Sequence, residues 1–128
     1  MQIQNATQYD NRTVAAIVRW ALREKEVDDY VWSVRVAHHT RGHAWHGRWY
    51  HARRHAVVRI AKQYPAQCHV YKRRDVPEAP VFTDWREALV WGLGHELEHA
   101  RQQRARKPAK ESETEWAAYR LWQAHLAR

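Results

Sequence analysis

The chain of 128 residues holds a single cysteine, Cys68, so no intramolecular disulfide can brace it, and this composition fits a reducing compartment. It also lacks a long apolar run. The longest uncharged one, Ala88 to Gly94, is far too short to cross a bilayer, which takes about 20 residues. The opening MQIQNATQYDNRT has no basic segment followed by an apolar one and does not read as a signal peptide. These absences predict a soluble, cytoplasmic protein with no membrane partner. Acidic residues are scarce: 14 Asp and Glu stand against 22 Lys and Arg, a net charge of +8. That excess makes polyanions adhere at low salt but by itself names no partner. There is no internal repeat and no low-complexity tract, and the length suits one domain over residues 1–128 with a single modest core.

What is present is a succession of periodic stretches. From Thr13 to Val27, Val14, Ile17, Val18 and Leu22 recur at three- and four-residue steps with charges between them, which predicts an amphipathic helix. In YVWSVRVAHH, Trp32, Val34 and Val36 alternate with Ser33, Arg35 and Ala37, the pattern of a half-buried strand. Thr40 to Gly47 reads as a turn or long hairpin loop. It leads into RWYHARRHAVVRIAK, one bulged strand or two short ones, stopped by Tyr64-Pro65. CHVYKR, residues 68–73, is a further candidate strand before the loop DVPEAP. Asp84 with Glu87 three residues later is a capping box, opening a helix from Trp85 to about Arg104. Lys107-Pro108 turns the chain, and a last helix follows. The order of helix, strands, helix, helix predicts an α+β fold.

Within the middle helix lies GLGHELEHARQ. His95 and His99, four apart, share one helix face about a turn from each other, so both imidazoles can reach one metal ion. Glu96 lies about 100° around from His95, where it can act on water as a general base. This is the pattern of a hydrolytic zinc site. The same pattern also arises by chance in a chain with ten histidines, and Glu98 is an unusual charge at its position. The apolar run before His95 draws the helix into the core, and Gly92 and Gly94 suit a place where another backbone passes close.

A third protein ligand is sought on the last helix. At about 100° per residue its largely apolar face carries Glu111, Thr114, Glu115, Ala118, Tyr119, Leu121, Trp122, His125 and Leu126, while Glu113 falls outside that face. Glu111 and Glu115 are both candidates. Glu115 is preferred because it lets the previous helix continue through Ala100 to Arg104 before turning back, and the other glutamate can then support a histidine.

His95-Glu96-Leu97-Glu98-His99 followed by a glutamate on the next helix resembles the gluzincin metallopeptidases. ETEWAAYR, residues 113–120, is similar to the E-x-E-A-(D/N)-x-F-A stretch of ImmA/IrrE-type peptidases, with Tyr119 at the aromatic position. Trp116, Ala117 and Arg120 depart from that pattern. TDWREALVWGLGHELEHARQ also resembles short phage and bacterial proteins taken for metallopeptidases. The resemblance covers about Thr83 to Leu126. Met1 is the only methionine, so the Met-turn of metzincins is absent, as is their third histidine. The resemblance implies a zincin-like minimal domain: an N-terminal helix backing a sheet of three or four strands, an HExxH helix and a glutamate helix. It implies zinc held by His95, His99 and Glu115, with Glu96 as the base in hydrolysis of a peptide or protein substrate. Tyr119 and His125 are candidate oxyanion donors. A substrate strand would add to a sheet edge, expected in residues 56–62 or 68–73.

A reading from another class stays open. His38, His39, His43, His46, His51 and His55 interleave with Trp45, Trp49, Tyr50 and Arg41, and with Arg48, Arg53 and Arg54. Aromatics that stack on bases and arginines that pair with phosphates would make this a nucleic-acid surface. The plainer reading is a solvated hairpin. Coexistence of both functions would resemble the DNA-dependent Spartan-type proteases. A second metal site among these histidines has no fixed spacing behind it, and an inactive zincin scaffold that binds protein is a further alternative.

Overall fold

The computed structural model describes residues 1–40, 42–70 and 78–128. The first element is a strand, β1 (Gln2–Ala6), which the sequence reading passed over. Its single apolar anchor, Ile3, faces the core from an otherwise polar segment, so no hydrophobic alternation marks it. Asp10 then caps α1 (Asn11–Glu24), accepting a hydrogen bond from Thr13 N at 2.9 Å. Val14, Ile17, Val18, Ala21 and Leu22 form its buried stripe, as the periodicity predicts. The chain leaves the helix through Glu26, at φ 56°.

Three strands follow: β2 (Ser33–His38), β3 (Trp45–Tyr50) and β4 (His55–Ile60). With β1 they form one mixed sheet in the order β1-β2-β4-β3. β1 and β4 both run parallel to β2, with Gln2 opposite Ser33 and Val34 opposite Ala56, while β3 and β4 are antiparallel. The hairpin therefore turns at residues 51–54, not at Thr40 to Gly47. The chain instead passes from β2 to the far edge of the sheet between His38 and Trp45. The glycines of that stretch suggested a turn, yet the real turn, His-Ala-Arg-Arg, has none and relies on Arg54 at φ 43°.

Two further expectations are corrected. Trp32 lies outside β2 and is 57% exposed, whereas Val34 and Val36 are buried as expected. The stretch at 56–62 is no sheet edge, because β4 is enclosed between β2 and β3; the edges are β1 and β3. Ala56, Val57, Val58 and Ile60 of this interior strand are all buried, a near-continuous apolar run instead of an alternating one. The predicted strand 68–73 falls partly outside the described residues. Its neighbour β5 (Ala66–Gln67) pairs with β6 (Val81–Phe82) in a separate two-stranded sheet.

The remaining helices are α2 (Trp85–Arg104) and α3 (Glu111–Ala127). Both halves of the α2 capping box form: the Asp84 carboxylate accepts from Arg86 N and Glu87 N, and Glu87 accepts from Asp84 N. α2 packs on β3 and β4, on α1 and on α3. Every side of its middle turns is covered, so residues 87–98 are buried without a polar stripe. Glu98 belongs to that buried run and is neutralised there by Lys25 Nζ at 2.6 Å and Arg101 Nη2 at 2.6 Å. Arg104 ties the end of α2 to Asp29 through two contacts of 2.6 and 3.0 Å. The architecture is α+β, and among the described residues no helix is long and apolar enough to cross a membrane.

Candidate metal centre

His95 and His99 stand one turn apart on α2 with ring centres 5.3 Å apart. What meets them is fixed by Gly94. A Cβ there would lie 2.7 Å from Ala118 Cα and 3.3 Å from Ala117 O, so the missing side chain lets α3 approach the α2 backbone directly. That close crossing sets both candidate glutamates against the histidines. His95 Nε2 is 3.2 Å from Glu111 Oε2 and 3.2 Å from Glu115 Oε1, and His99 Nε2 is 3.3 Å from Glu111 Oε1. Ligands around a tetrahedral zinc with bonds of about 2.0–2.1 Å are themselves about 3.3 Å apart, so these separations suit a shared ion. Thr114 Oγ1 also approaches His95 Nε2, at 3.1 Å, while donating to Glu111 O at 2.7 Å.

The two glutamates differ in surroundings. Glu111 borders the open cleft with its side chain 39% exposed. Glu115 is 1% exposed, and neither of its carboxylate oxygens has a hydrogen-bond partner; its contact with His95 is close but out of line for a hydrogen bond. A carboxylate taken out of water without a donor is costly, and a cation beside it removes that cost.

Glu96 is buried, its Oε2 3.1 Å from His95 Nδ1. Donor atoms of His95, Glu96 and His99 all lie within 4.8 Å of one another. The other wall around Glu96 is Gly47 of β3: a Cβ at that position would stand 2.7 Å from Glu96 Cγ and 2.9 Å from Cδ. Glycine within a strand marks such an approach of neighbouring atoms, a signal available in the sequence but attributed there to a turn. The Trp45 ring, 5.0 Å from the His95 ring, closes the inner side.

The charges are strongly coupled. Burial pushes the His95 imidazole down, but Glu111, Glu115 and Glu96 around it more than reverse this and raise it to about 11. A proton on His95 thus takes the role of the cation these carboxylates call for. The hydrogen bond with His95 in turn holds Glu111 below the usual carboxylate range, against the effect of burial. His99 Nδ1 is oriented by Gln102 Oε1 at 3.2 Å, and Gln102, itself buried, also reaches Glu113.

The group opens into a cleft of 590 Å³ lined by Gly47, Arg48, Trp49 and His51 on one side and His95, Glu96, His99, Ala109 and Glu111 on the other. The edge strand β3 runs along it, with Trp49 Nε1 anchored to Gln103 Oε1 at 2.7 Å. Sequence reasoning missed Gly47, Trp49, Gln102 and Thr114 as parts of this site. Tyr119 does not line the cleft: its hydroxyl accepts from Gln123 Nε2 at 2.9 Å, and its ring packs with Trp91 and Trp122. His125 is likewise elsewhere, beside Trp20.

The arginines assigned to nucleic acid lie on aromatic faces. Arg48 and Arg53 cover Tyr50 at 5.0 and 4.7 Å, and Arg54 covers Tyr30 at 4.0 Å and Trp32 at 4.9 Å. Of the three, Arg48 alone lines the cleft. Arg41 lies outside the described residues. No family profile, curated protein or solved structure matches the chain.

Proposed function

We propose that the protein is a zinc-dependent metallopeptidase of the gluzincin kind on a minimal zincin-like domain, acting on peptide or protein substrates. The observation that carries this reading is the Glu115 carboxylate, buried with neither oxygen hydrogen-bonded among the described residues and 3.2 Å from a histidine of an HExxH helix. The donor set of two imidazoles and carboxylates fits zinc, with His95, His99 and Glu115 as ligands and Glu111 as the supporting group. Zinc, when bound, supplies Lewis-acid polarisation of a carbonyl and activation of water. Glu96 takes the proton from the attacking water and returns it to the leaving amine. β3 offers its free edge at Gly47 to Trp49, so an extended peptide can add to the sheet and lie along the cleft.

The test is Glu96→Gln in the zinc-loaded protein, assayed against a broad peptide library. The variant should keep its fold and its zinc while losing hydrolysis. Zinc-loaded wild type that cleaves no member of the library would refute the peptidase and leave a zinc-binding scaffold.

A second reading is supported by Trp32, 57% exposed next to Arg54, and by Arg53 over Tyr50: stacking faces with guanidinium groups for phosphates. It predicts that changing Arg48, Arg53 and Arg54 to Ala weakens nucleic-acid binding and flattens its salt dependence, with Glu96→Gln neutral.

A further inference from the structure

The histidines that sequence alone could not relate fall into two kinds once folded. His38 and His55 are engaged locally: Gln8 N donates to His38 Nε2 at 3.2 Å, and His55 Nδ1 is 2.6 Å from Ser33 Oγ. His39, His43, His46 and His69 instead come together from four places in the chain: the residue after β2, the crossing segment, the start of β3 and the segment after β5. The ring centres of His39 and His43 are 5.7 Å apart, those of His39 and His46 5.7 Å, and those of His43 and His69 5.3 Å. The candidate ligands His95 and His99 have nearly the same spacing, 5.3 Å. Two imidazoles on one tetrahedral ion with bonds of about 2.0–2.1 Å hold their ring centres about 5 Å apart.

At the middle of this row, His39 Nε2 is sealed from solvent and has no hydrogen-bond partner. A buried ring nitrogen left without a partner is the exception in a folded protein. His43 and His46, on either side of it, are exposed. Burial holds the His39 imidazole below its usual range, and His46, His43 and Arg59 add to this, which keeps the ring in the neutral form a metal needs. Carboxylates are missing from this ring set, so calcium and magnesium do not suit it, whereas imidazoles suit zinc, nickel and copper.

We propose that His39, His43, His46 and His69 form a second metal site, for a divalent transition ion of the zinc, nickel and copper group. His39 is its fixed ligand; among the described residues only His95, Glu96 and His99 hold their ligand atoms within 4.8 Å of one another, so the side chains around His39 must draw together to take the ion. The site is separate from the HExxH group: in β3, Gly47 faces Glu96 and Trp45 faces His95, whereas His46 is exposed between them on the alternate side. An ion there fastens residues 39–44 to the edge strand and to the chain after β5.

Zinc titration with metal analysis of the whole chain decides the matter. Wild type should bind two ions, and His95→Ala with His99→Ala should bind one. In that double-variant background Zn²⁺ should shift the ring resonances of His39 and His43, and excess Mg²⁺ should not reverse the shift. Changing His43 and His46 to Ala, both exposed, should remove the second ion or weaken it at least tenfold, with the fold checked by its melting temperature. Wild type that binds one ion and loses it in the His95/His99 variant overturns the proposal. So does an unchanged count of two after His43 and His46 are replaced. Failure of the HExxH site would show separately, as a wild type that binds one ion and keeps it when His95 and His99 are replaced.

Discussion

Glu115 Oε1 lies 3.2 Å from His95 Nε2, across the crossing of α2 and α3, in a place where neither carboxylate oxygen is hydrogen-bonded among the described residues. The pair depends on Gly94, which follows the apolar run of α2 and removes the one side chain that would keep α3 away. Backbone packing and donor geometry are therefore one feature.

The first expected outcome concerns the two glutamates. Glu115→Gln should weaken zinc binding by more than the roughly 10–100-fold typical of a supporting group, and Glu111→Gln should stay within that range. Equilibrium competition with a chromophoric chelator measures both. The reverse order would make Glu111, which touches both histidines, the ligand.

Gly94→Ala tests the crossing. Alanine is intrinsically better than glycine in a helix by about 1 kcal/mol. Against this, its Cβ meets Ala118 Cα at 2.7 Å, backbone that cannot turn aside, and overpacking of that kind costs about 1–3 kcal/mol. Thermal denaturation should show a net loss of stability, with weaker zinc binding. At Gly47 the obstacle is the buried side chain of Glu96, which a Cβ would meet at Cγ and Cδ, so Gly47→Ala should displace Glu96 and lose peptidase activity, with some loss of stability. Undiminished activity would remove Gly47 from the site.

Glu98, buried between Lys25 and Arg101, gives a third test. Lys25→Met leaves a partly compensated buried carboxylate and should destabilise the fold, up to the roughly 3–5 kcal/mol of a broken buried pair. Adding Glu98→Leu should recover most of that loss, since apolar replacement of a buried pair is often neutral. Denaturant titration of the single and double variants reads the difference.

Acid sensitivity follows from Glu87 and His55. Burial raises the Glu87 carboxyl, but hydrogen bonds from Thr83, Trp122 and the Thr83 and Asp84 amides outweigh it and hold it below its usual value. Its folded form therefore contributes stability above the unfolded value of about 4.5, lost as pH falls through the lowered folded value. Burial, with Arg53 and Arg35, holds His55 low, so the folded state favours the neutral ring and stability declines as pH falls below about 6.5. Glu87→Gln should flatten only the lower of these two limbs in a melting-temperature profile against pH. A change confined to the upper limb would refute the assignment.

Helices were the legible part of this chain. α2 has the predicted bounds because its capping residues are local, and the α3 wheel put Glu111 and Glu115 on the correct face. Strand order was not legible. Whether β4 pairs with β2 or only with β3 depends on contacts distant in sequence, and β1 hides behind polar residues with Ile3 alone as its anchor. For the candidate site, the spacing of His95 and His99 pointed to two side chains that stand together on one face of α2. Gly47 could not be placed, because its role lies in the side chain of Glu96, which reaches it from another element. The charge at Glu98, which looked out of pattern, is explained by Lys25, seventy-three positions away.

All the donors of the candidate centre fall between residues 95 and 115, inside the hairpin of α2 and α3. β1, by contrast, pairs with β2 across the whole of α1, and β2 pairs with β4 across the whole of β3. Contacts close in sequence form quickly and distant parallel pairings slowly. The helical hairpin should thus acquire its ion during refolding before the sheet has closed, and stopped-flow traces of zinc uptake should lead those of tryptophan burial. Coincident traces would remove the ordering. On this path the proposed zinc would arrive early enough to help choose the register in which the two helices cross, and the sheet would be laid against a centre already assembled.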